Sequence, residues 1–424
     1  MIKEILQRYQ SNVKVKQVAG LLSVNILSIP LSVITSIIIT RFLGPANYGS
    51  FKFILNLFSL ATVIFTFGFF QAGNRALVLN SDSQKARELY GAELIITGFL
   101  FLFLAISFCV YVLFDKNINE KGLRLVLLLA IPFSWVFLTS KYFEVLFQAD
   151  NKMRLLAKAR LFPQLIYFVF ILIFYFWFIK YPGNRLILVL AAYFTGYVIV
   201  ATYIIIKINP SFRHFRDRVQ EIFHYNKTFG INVYIGSLFA VGFSQLTGIL
   251  ISYFATDNRG VGYYSLAVTI AAPLAFIPNV IATTHYKDFS TSKKIDKKLM
   301  HITLAISCAA LLLTILLVSP FIKIFYDSEF APVVKLTYIV SFGIILSGLA
   351  DFFNRFLGSH GKGRALRNSA FIVGISVLIS NVVLIPLYGE TGAAYTTFMS
   401  GLIYFVCMYI YYRRLVSSLM LERS

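Results

Sequence analysis

The chain contains long apolar runs with almost no charge, and these runs constrain its fold more than any other feature. Residues 17–40, 92–114 and 157–179 hold few or no charged side chains, and roughly 20 residues is the length that an α-helix needs to cross a bilayer. A transmembrane β-barrel would instead show alternating segments of about 10 residues. Charged residues make up 13% of the 424 positions, about half the share in a soluble domain. The sequence therefore predicts an all-α membrane protein.

Apolar segments separated by short loops predict twelve transmembrane helices. Their approximate bounds are 17–41, 48–73, 92–114, 124–146, 157–179, 185–207, 229–254, 262–286, 300–319, 332–354, 366–386 and 390–412. The longest connection, 208–228, predicts a short amphipathic helix with Phe212, Phe215, Val219, Ile222 and Phe223 on one side. We expect three parts: a six-helix lobe over 1–208, a cytoplasmic linker over 209–228 and a second six-helix lobe over 229–424.

Basic residues outnumber acidic ones, giving a formal net charge of +21. In a soluble protein such an excess would indicate nucleic-acid binding, but here the basic residues lie in the short loops. Of the 39 Lys and Arg residues, 28 fall on the side of the predicted topology that carries both termini. Because Lys and Arg concentrate on the cytoplasmic side of membrane proteins, both termini are predicted to be cytoplasmic.

Two loop sequences of the first half recur in the second half. "RFLGPANYGSFKF" (41–53) resembles "YFATDNRGVGYYSL" (253–266), and one inserted residue matches Gly49 to Gly262. The Gly-Pro pair of the first hairpin is predicted to make its turn, since Gly adopts unusual φ values and Pro fixes φ. Gly49 is predicted to let the second helix of the hairpin pack closely.

The second recurrence needs no gap. "KYFEVLFQADNKMRLLAK" (141–158) matches "DFFNRFLGSHGKGRALRN" (351–368) at an offset of 210 residues. Both recurrences place one helix on the sixth helix after it, so the two halves share one orientation. This predicts two lobes related by a pseudo-two-fold axis along the membrane normal. Two such lobes around a central cleft are the architecture of an alternating-access transporter.

Polar residues inside the predicted helices are candidates for lining this cleft, because they are costly in hydrocarbon. The Ser and Thr stripes of helix one fit either a cleft or helix packing through bonds to the preceding turn. Lys52 either extends its amine to the outer interface or points into the cleft as a cation for an anionic substrate. The candidate substrate-binding residues are Lys52, Asn25, Asn56, Gln245, Arg41, Arg75 and Arg259.

Acidic residues at helix ends are candidates for ion pairs or for coupling. Lys141 with Glu144, and Asp351 with Arg355, stand at repeat-related positions with the spacing of salt bridges. Alternatively, Glu144 and Asp351 are protonatable groups that couple transport to an ion gradient. Glu93, near the start of the third helix, is expected to cap or to pair.

The sequence contains no pattern typical of catalysis or of metal binding. The three cysteines are far apart in apolar helices and lack metal-ligand spacing, and no P-loop or nucleotide-binding motif occurs. We expect no enzymatic activity, no metal and no cofactor, apart from H⁺ or Na⁺ as a coupling ion.

Three stretches resemble one known family. The stretch that starts at residue 41, "RFLGPANYGSFKFILNLFSLATVIFTFGF", resembles the first hairpin of the polysaccharide flippases of the MOP (multidrug, oligosaccharidyl-lipid, polysaccharide) superfamily. "NVYIGSLFAVGFSQLTGILISYFATDNRGVGYYSLAVTIAAPLAFIP" resembles the seventh and eighth helices of that family, and "NVVLIPLYGETGAAYTTFMSGLIY" resembles its C-terminal pattern. In length and in the lack of extra helices, the chain is most similar to Wzx-type O-antigen flippases.

This resemblance implies transport of an undecaprenyl-diphosphate-linked oligosaccharide from the inner to the outer leaflet of a bacterial cytoplasmic membrane. The diphosphate would meet Lys52, Arg41 and Arg259 from the outer side and Arg75 from the inner side. Membrane lipid, a polysaccharide polymerase and the chain-length machinery are the implied partners, and no nucleic acid is implied. An ion-coupled drug or small-molecule exporter of the same fold remains the alternative. An acidic cleft would favour the exporter, but helices one, two, seven and eight contain no Asp or Glu.

Overall fold

The computed structural model of the chain describes residues 13–80, 82–178 and 183–421. Throughout these residues the regular elements are helices, and none is a strand. In chain order the α-helices are α1 Val13–Phe65, α2 Phe69–Val78, α3 Ser83–Phe114, α4 Lys116–Glu120, α5 Arg124–Ala130, α6 Trp135–Ala149, α7 Met153–Phe178, α8 Arg185–Ile208, α9 Phe215–Tyr225, α10 Ile231–Ser237, α11 Phe243–Phe254, α12 Arg259–Ala271, α13 Pro273–Thr284, α14 Tyr286–Thr291, α15 Lys297–Phe325, α16 Pro332–Ser359 and α17 Gly363–Leu421.

Eight helical stretches in the described residues are long and apolar enough to cross a membrane, and the bent pair α5–α6 makes a ninth. Two of these stretches, in α1 and α17, each overlap two of the predicted spans. The backbone leaves the helical conformation inside them, at Gly44 (φ 71°, ψ 173°) and at Gly389 (φ 57°, ψ −132°). The all-α membrane fold is confirmed, and the number twelve stays a prediction.

The predicted turn of the first hairpin is found at Gly44. Its left-handed φ is accessible to glycine without steric cost, and the buried Pro45 follows at once. A second proline, Pro132, lies in the short 3₁₀ turn Ile131–Phe133, where α5 and α6 meet at 42°. The prolines thus bend helices where the missing N–H interrupts the backbone hydrogen bonds.

The predicted second span, 48–73, is wrong at its C-terminal end. Helix α1 ends at Phe65, and α2 begins only at Phe69. Between them Phe67 (φ 43°) and Gly68 (φ 83°) adopt left-handed conformations, which an α-helix of L-residues does not continue. The apolar run therefore hides a break in the backbone.

The predicted seventh span, 229–254, is likewise not one regular helix. It consists of α10 and α11 with π-helical turns at Asn226–Gly230 and Leu238–Gly242. Each π-helical turn ends in a glycine. Such turns insert an extra residue into a helix and frequently occur at functional sites.

The chain divides into two compact units that do not coincide with the two halves of the sequence. One comprises the described part of Met1–Phe42 with Phe58–Ile235, and the other Leu43–Leu57 with the described part of Gly236–Ser424. A segment of the first hairpin thus packs with the second half of the chain, and residues 209–235 pack with the first half. The two six-helix lobes and the linker remain a topological prediction.

Each unit has its own aromatic core. In the first unit, Phe58 stacks on Phe108 and Phe137 with ring centroids 5.0 Å and 5.6 Å apart. In the second unit, the core lies between α16 and the C-terminal part of α17, and Phe356 packs edge-to-face on Tyr412 at 5.2 Å. Stacked and edge-to-face rings at these separations stabilise a core beyond their apolar area.

The predicted amphipathic helix of the linker is α9. Ion pairs hold it in the first unit: Arg218 Nε lies 3.2 Å from Glu88 Oε2, and Arg218 Nη1 lies 2.6 Å from Glu221 Oε2. Burial lowers the pKa of the Arg218 guanidinium. Hydrogen bonds and charge interactions with Glu221 and Glu88 raise this pKa by more than burial lowers it, so the net shift is upward. Ile222 is fully buried, whereas Phe215 and Phe223 are exposed.

Candidate functional site

The two repeat-related hairpins pack against each other within the second unit. A Cβ atom added at Gly49 would overlap the backbone carbonyl of Asn258, and one added at Gly262 would lie 2.8 Å from the carbonyl oxygen of Pro45. The predicted close packing at Gly49 is therefore found, and its partner is the matched hairpin. Only glycine allows this approach, because any larger residue would force the two backbones apart.

A buried asparagine holds the two hairpins together. Asn258 is 2% exposed, and its Nδ2 donates to Ser50 Oγ at 3.0 Å, while Ser252 Oγ donates to its Oδ1 at 2.6 Å. A buried amide needs such partners on both its donor and its acceptor side. Asn258 is not among the residues predicted from the sequence, although an amide residue between two apolar helices was its visible signal.

Lys52 lies one turn beyond Tyr48 on the same face of α1. Its Nζ is 5.4 Å from the centroid of the Tyr48 ring, within the range of a cation–π interaction. Tyr48 is fully buried and packs edge-to-face on Phe330 at 6.4 Å. Lys52 is half-buried, and in the described part of the chain no carboxylate lies within 4.0 Å of its amine. The aromatic ring, not an acidic side chain, is its contact in this unit.

The amide of Asn56 continues this face one turn further along α1. Its Nδ2 lies so close to Gly248 of α11 that a Cβ at that position would overlap it. Gln245 stands one turn before Gly248 on α11 and is half-buried. Lys52, Asn56 and Gln245 thus belong to one unit, in which α1 and α11 are in direct contact.

The predicted arginines lie at exposed positions. Arg259 begins α12 in the second unit, and its Nε is 3.4 Å from Asp257 Oδ2. In the first unit, Arg41 is exposed on α1, and the guanidinium of Arg75 on α2 lies 5.9 Å from the ring centroid of Phe229. The side chain of Asn25 is outside the described residues. The assignment of these residues to a substrate site stays a prediction.

The Ser and Thr hydroxyls along α1 form hydrogen bonds within the helix, as the packing alternative predicts. Thr40 Oγ1 donates to the carbonyl of Ser36 at 2.8 Å, and Ser32 Oγ donates to the carbonyl of Ser28 at 2.7 Å. Such bonds to the preceding turn satisfy a hydroxyl without a ligand. The amides and Lys52 are therefore the more informative polar groups of this helix.

Glu144 forms two ion pairs in the first unit. Lys141 Nζ lies 2.8 Å from its Oε2, as predicted, and Arg160 Nη2 lies 3.0 Å from its Oε1. All three side chains are partly exposed. Glu144 is thus an ionised member of a charge cluster with one acidic and two basic groups.

The predicted ion pair between Asp351 and Arg355 is not formed. In the described residues of the second unit, no basic group lies within 4.0 Å of Asp351. Instead Tyr404 Oη donates to Asp351 Oδ1 at 2.8 Å and accepts from Asn354 Nδ2 at 2.7 Å. The phenol of α17 reaches the carboxylate of α16, so a hydrogen bond from an uncharged donor replaces the expected ion pair.

Comparisons with known proteins identify relatives over most of the chain. A family model described as "Polysaccharide biosynthesis protein" matches residues 15–286. An uncharacterized membrane protein of Methanocaldococcus jannaschii, MJ1068, is 22% identical over 408 residues, which cover 88% of this chain and 78% of that protein.

Solved transporter structures share the fold. The inward closed conformation of the lipid II flippase MurJ superposes with a TM-score of 0.73 at 16% identity, covering 95% of this chain and 90% of that one. The inward-facing conformation of a multidrug resistance MATE family transporter of the MOP superfamily superposes with a TM-score of 0.71 at 13% identity, covering 94% and 99%.

Proposed function

Because this chain belongs to the polysaccharide biosynthesis protein family and has the fold of MOP superfamily transporters, we propose that it is a Wzx-type flippase. Its substrate is an undecaprenyl-diphosphate-linked oligosaccharide repeat unit of O-antigen or a related surface polysaccharide. The protein is a multi-pass membrane protein. In the proposal it lies in the bacterial cytoplasmic membrane with both termini in the cytoplasm, and it moves its substrate to the outer leaflet.

The half-buried Lys52 is the observation that carries this proposal. It is a cation in a long apolar helix, and its contact in the second unit is the ring of Tyr48. A cation without a nearby carboxylate favours an anionic ligand such as a diphosphate, because the ligand supplies the missing negative charge. Arg259 and Arg41 offer further positive charge towards the outer side, and Arg75 towards the inner side.

The substrate also carries a neutral sugar, and the amide residues can bind it. Asn56 and Gln245 are half-buried on neighbouring helices of one unit. Amide groups donate and accept hydrogen bonds without charge, as sugar hydroxyls require. Transport proceeds by alternating access and is driven by an H⁺ or Na⁺ gradient. A polysaccharide polymerase and the chain-length machinery use the product.

A drug exporter of the same fold is the second candidate, favoured by the structural similarity to a MATE transporter. A cationic drug requires negative charge in its site. Helices α1, α11, α12 and α13 contain no Asp or Glu, and Lys52 would repel such a substrate. This charge pattern favours the flippase over the exporter.

Deletion of the gene, followed by analysis of surface glycan and lipid-linked intermediates, tests the proposal. We expect surface polysaccharide to disappear and intact lipid-linked repeat units to accumulate on the cytoplasmic face. Wild-type protein should restore the polysaccharide. Lys52→Glu should be inserted but should not restore it, whereas the same reversal at the exposed Lys323, at the end of α15, should. Normal surface glycan in the deletion strain would refute the flippase proposal.

A further inference from the structure

A carboxyl group of α3 is fully buried against the backbone of α2 and has no basic partner within the described residues. Glu93 is 0% exposed, and both its oxygens lack a hydrogen-bond partner within the described residues. The expectation that Glu93 caps or pairs is therefore wrong. Its position is about 15 Å along α3 from Ser83, at 1.5 Å per residue, so it is not a helix-end residue.

Helix α2 covers this carboxyl group. A Cβ added at Gly73 would overlap Glu93 Oε1, so the backbone of α2 lies directly on the acid. The face of α2 on this side is apolar and buried, with Phe70, Ala72, Ala76 and Leu77. Asn74 Nδ2 donates to the carbonyl of Val145 at 2.7 Å and so fixes α2 to α6. In this conformation Glu93 is shielded from water.

Within the described residues, no basic group lies within 4.0 Å of Glu93. A titratable neighbour is the phenol of Tyr142 on α6, which is itself fully buried and donates to the carbonyl of Tyr90. The charged groups of the surrounding elements are engaged elsewhere: Arg75 over Phe229, Arg218 with Glu88 and Glu221, Lys141 and Arg160 with Glu144, and Lys152 with Asp150. An ionised carboxylate in such a place is strongly disfavoured, so the acid holds its proton.

Glu88 is a second buried carboxyl group of the same helix, and its surroundings differ from those of Glu93. It lies five residues before Glu93 and is only 6% exposed, yet Arg218 Nε and His214 Nδ1 stand 3.2 Å and 3.3 Å from its oxygens. Two buried acids of one helix thus differ in their basic partners: Glu88 has two, whereas no basic group lies within 4.0 Å of Glu93 in the described residues.

The helix that covers Glu93 is separated from α1 by two residues with left-handed backbone conformations. Phe67 and Gly68, with φ of 43° and 83°, separate α2 from α1. Gly68 also contacts the π-helical turn before α10: a Cβ at Gly68 would lie 2.6 Å from the Gly230 carbonyl and 2.8 Å from Asn226 Oδ1. Displacement of the Asn226–Gly230 turn would therefore act directly on the start of α2.

We propose that Glu93 is a proton-binding site whose access to water is controlled by α2. The carboxylate takes up a proton from water when α2 stands away from α3, and it keeps that proton while α2 covers it. The proton returns to water when the cover opens again. A proton fits this site better than a metal ion, because in the described residues no group of three or more acidic, His or Cys side chains stands ready to hold one. The inference rests on the proposed transport function, for which it names the coupling ion.

Infrared spectroscopy of the purified protein tests the protonation state without a substrate. At neutral pH, the wild type should show the carbonyl stretch of a protonated carboxylic acid, sensitive to isotopic labelling of glutamate. Glu93→Gln, and Glu93→Met as a second variant, should lack this band. The matched control Glu88→Gln should keep it. An unchanged band in Glu93→Gln and Glu93→Met would overturn the assignment.

Transport in proteoliposomes tests the coupling. The probe is a fluorescent undecaprenyl-diphosphate oligosaccharide, and its leaflet is followed with and without an imposed pH gradient. The gradient should accelerate the wild type and leave the rate of Glu93→Gln unchanged. If the wild type moves the lipid and Glu93→Gln still responds to the gradient, the proton site is wrong while the flippase proposal stands. If the wild type moves no lipid, the flippase proposal fails, and the infrared result alone decides on Glu93.

Discussion

The turn between α6 and α7 and the turn between α16 and α17 occupy matched positions in the two halves of the chain. Each contains one residue with left-handed φ, Asn151 (52°) and Gly361 (70°), and these two residues are separated by the sequence offset of 210. The backbone hydrogen bonds beside these residues also recur. Lys152 N donates to Phe147 O at 2.9 Å, and its counterpart Lys362 N donates to Leu357 O at 3.0 Å. Leu156 N donates to Lys152 O at 3.1 Å, and its counterpart Leu366 N donates to Lys362 O at 3.4 Å. The duplication is therefore visible in the backbone.

The side chains beside these two turns differ in charge. Lys141 and Glu144 form an ion pair in the first half, and their counterparts at the same offset are Asp351 and Asn354. The second half uses hydrogen bonds to Tyr404 in place of charges. A repeated backbone thus tolerates different polar chemistry where each turn packs within its own unit.

The matched hairpins behave differently, because they touch each other. Gly49 and Gly262 are the same residue in both copies, and both lie at the contact between the hairpins. A side chain at either position would collide with the other copy. The comparison teaches that contact between the copies keeps the same glycine in both, whereas the separately packed turns keep their backbone and change the polar side chains beside it.

The largest effect is expected from Gly49→Val. The added side chain would overlap the carbonyl of Asn258 and force the hairpins apart, which should lower the free energy of unfolding by about 3 kcal/mol. Thermal unfolding in detergent measures the loss. Gly98→Val is a matched control, because no atom lies within 4 Å of a Cβ at Gly98. Equal stability of the two variants would contradict the tight hairpin contact.

Gly361→Val should have the next largest effect. A β-branched residue is strained at a left-handed φ, and the expected cost is about 2 kcal/mol, measured by the same thermal unfolding. The matched substitution in the other turn, Asn151→Gly, removes a side chain from a left-handed position and should leave the stability nearly unchanged. A tolerated valine at Gly361 would show that the two turns do not share a backbone.

Tyr404→Phe should cost less than the valine in the turn. It removes the hydrogen bond to Asp351 and leaves a half-buried carboxylate without that donor, a loss of about 1 kcal/mol. Thermal unfolding of Tyr404→Phe and of the double variant with Asp351→Asn measures the interaction between the two side chains. Strictly additive effects of the two substitutions would show that this bond contributes nothing.

The smallest effect is expected from Glu144→Gln. Its ion pairs with Lys141 and Arg160 are partly exposed, and exposed pairs contribute about 0.5 kcal/mol. The loss should shrink further at high salt, unlike the loss in Tyr404→Phe. Salt-independent destabilisation would place Glu144 in a role other than surface pairing.

The sequence predicted those parts of the fold that follow from residue types and spacings within a short segment. The Gly44–Pro45 turn and the packing at Gly49 follow from the conformational properties of glycine and proline, which a sequence states directly. The ion pair of Lys141 with Glu144 follows from its spacing. The duplication was predictable because two loops kept recognisable residues at nearly equal offsets.

The breaks in helices two and seven could not be predicted in the same way. Apolar composition indicates that a segment lies in the membrane, but it does not indicate whether the backbone there is α-helical or π-helical. Likewise, the sequence places Glu93 in an apolar helix without showing which side chains approach it. The absence of a partner depends on how Gly73 and Tyr142 pack in three dimensions, and this packing is not encoded locally.

The hairpin contact has a consequence for biosynthesis. Gly49 and Asn258 are separated by about 200 residues, and at about 5–20 residues per second the ribosome needs roughly 10–40 s to span that distance. During this interval Ser50, Lys52 and Asn56 are already made while their later neighbours do not yet exist. The nascent hairpin must therefore wait beside the translocon with its polar groups open to water, lipid or a chaperone.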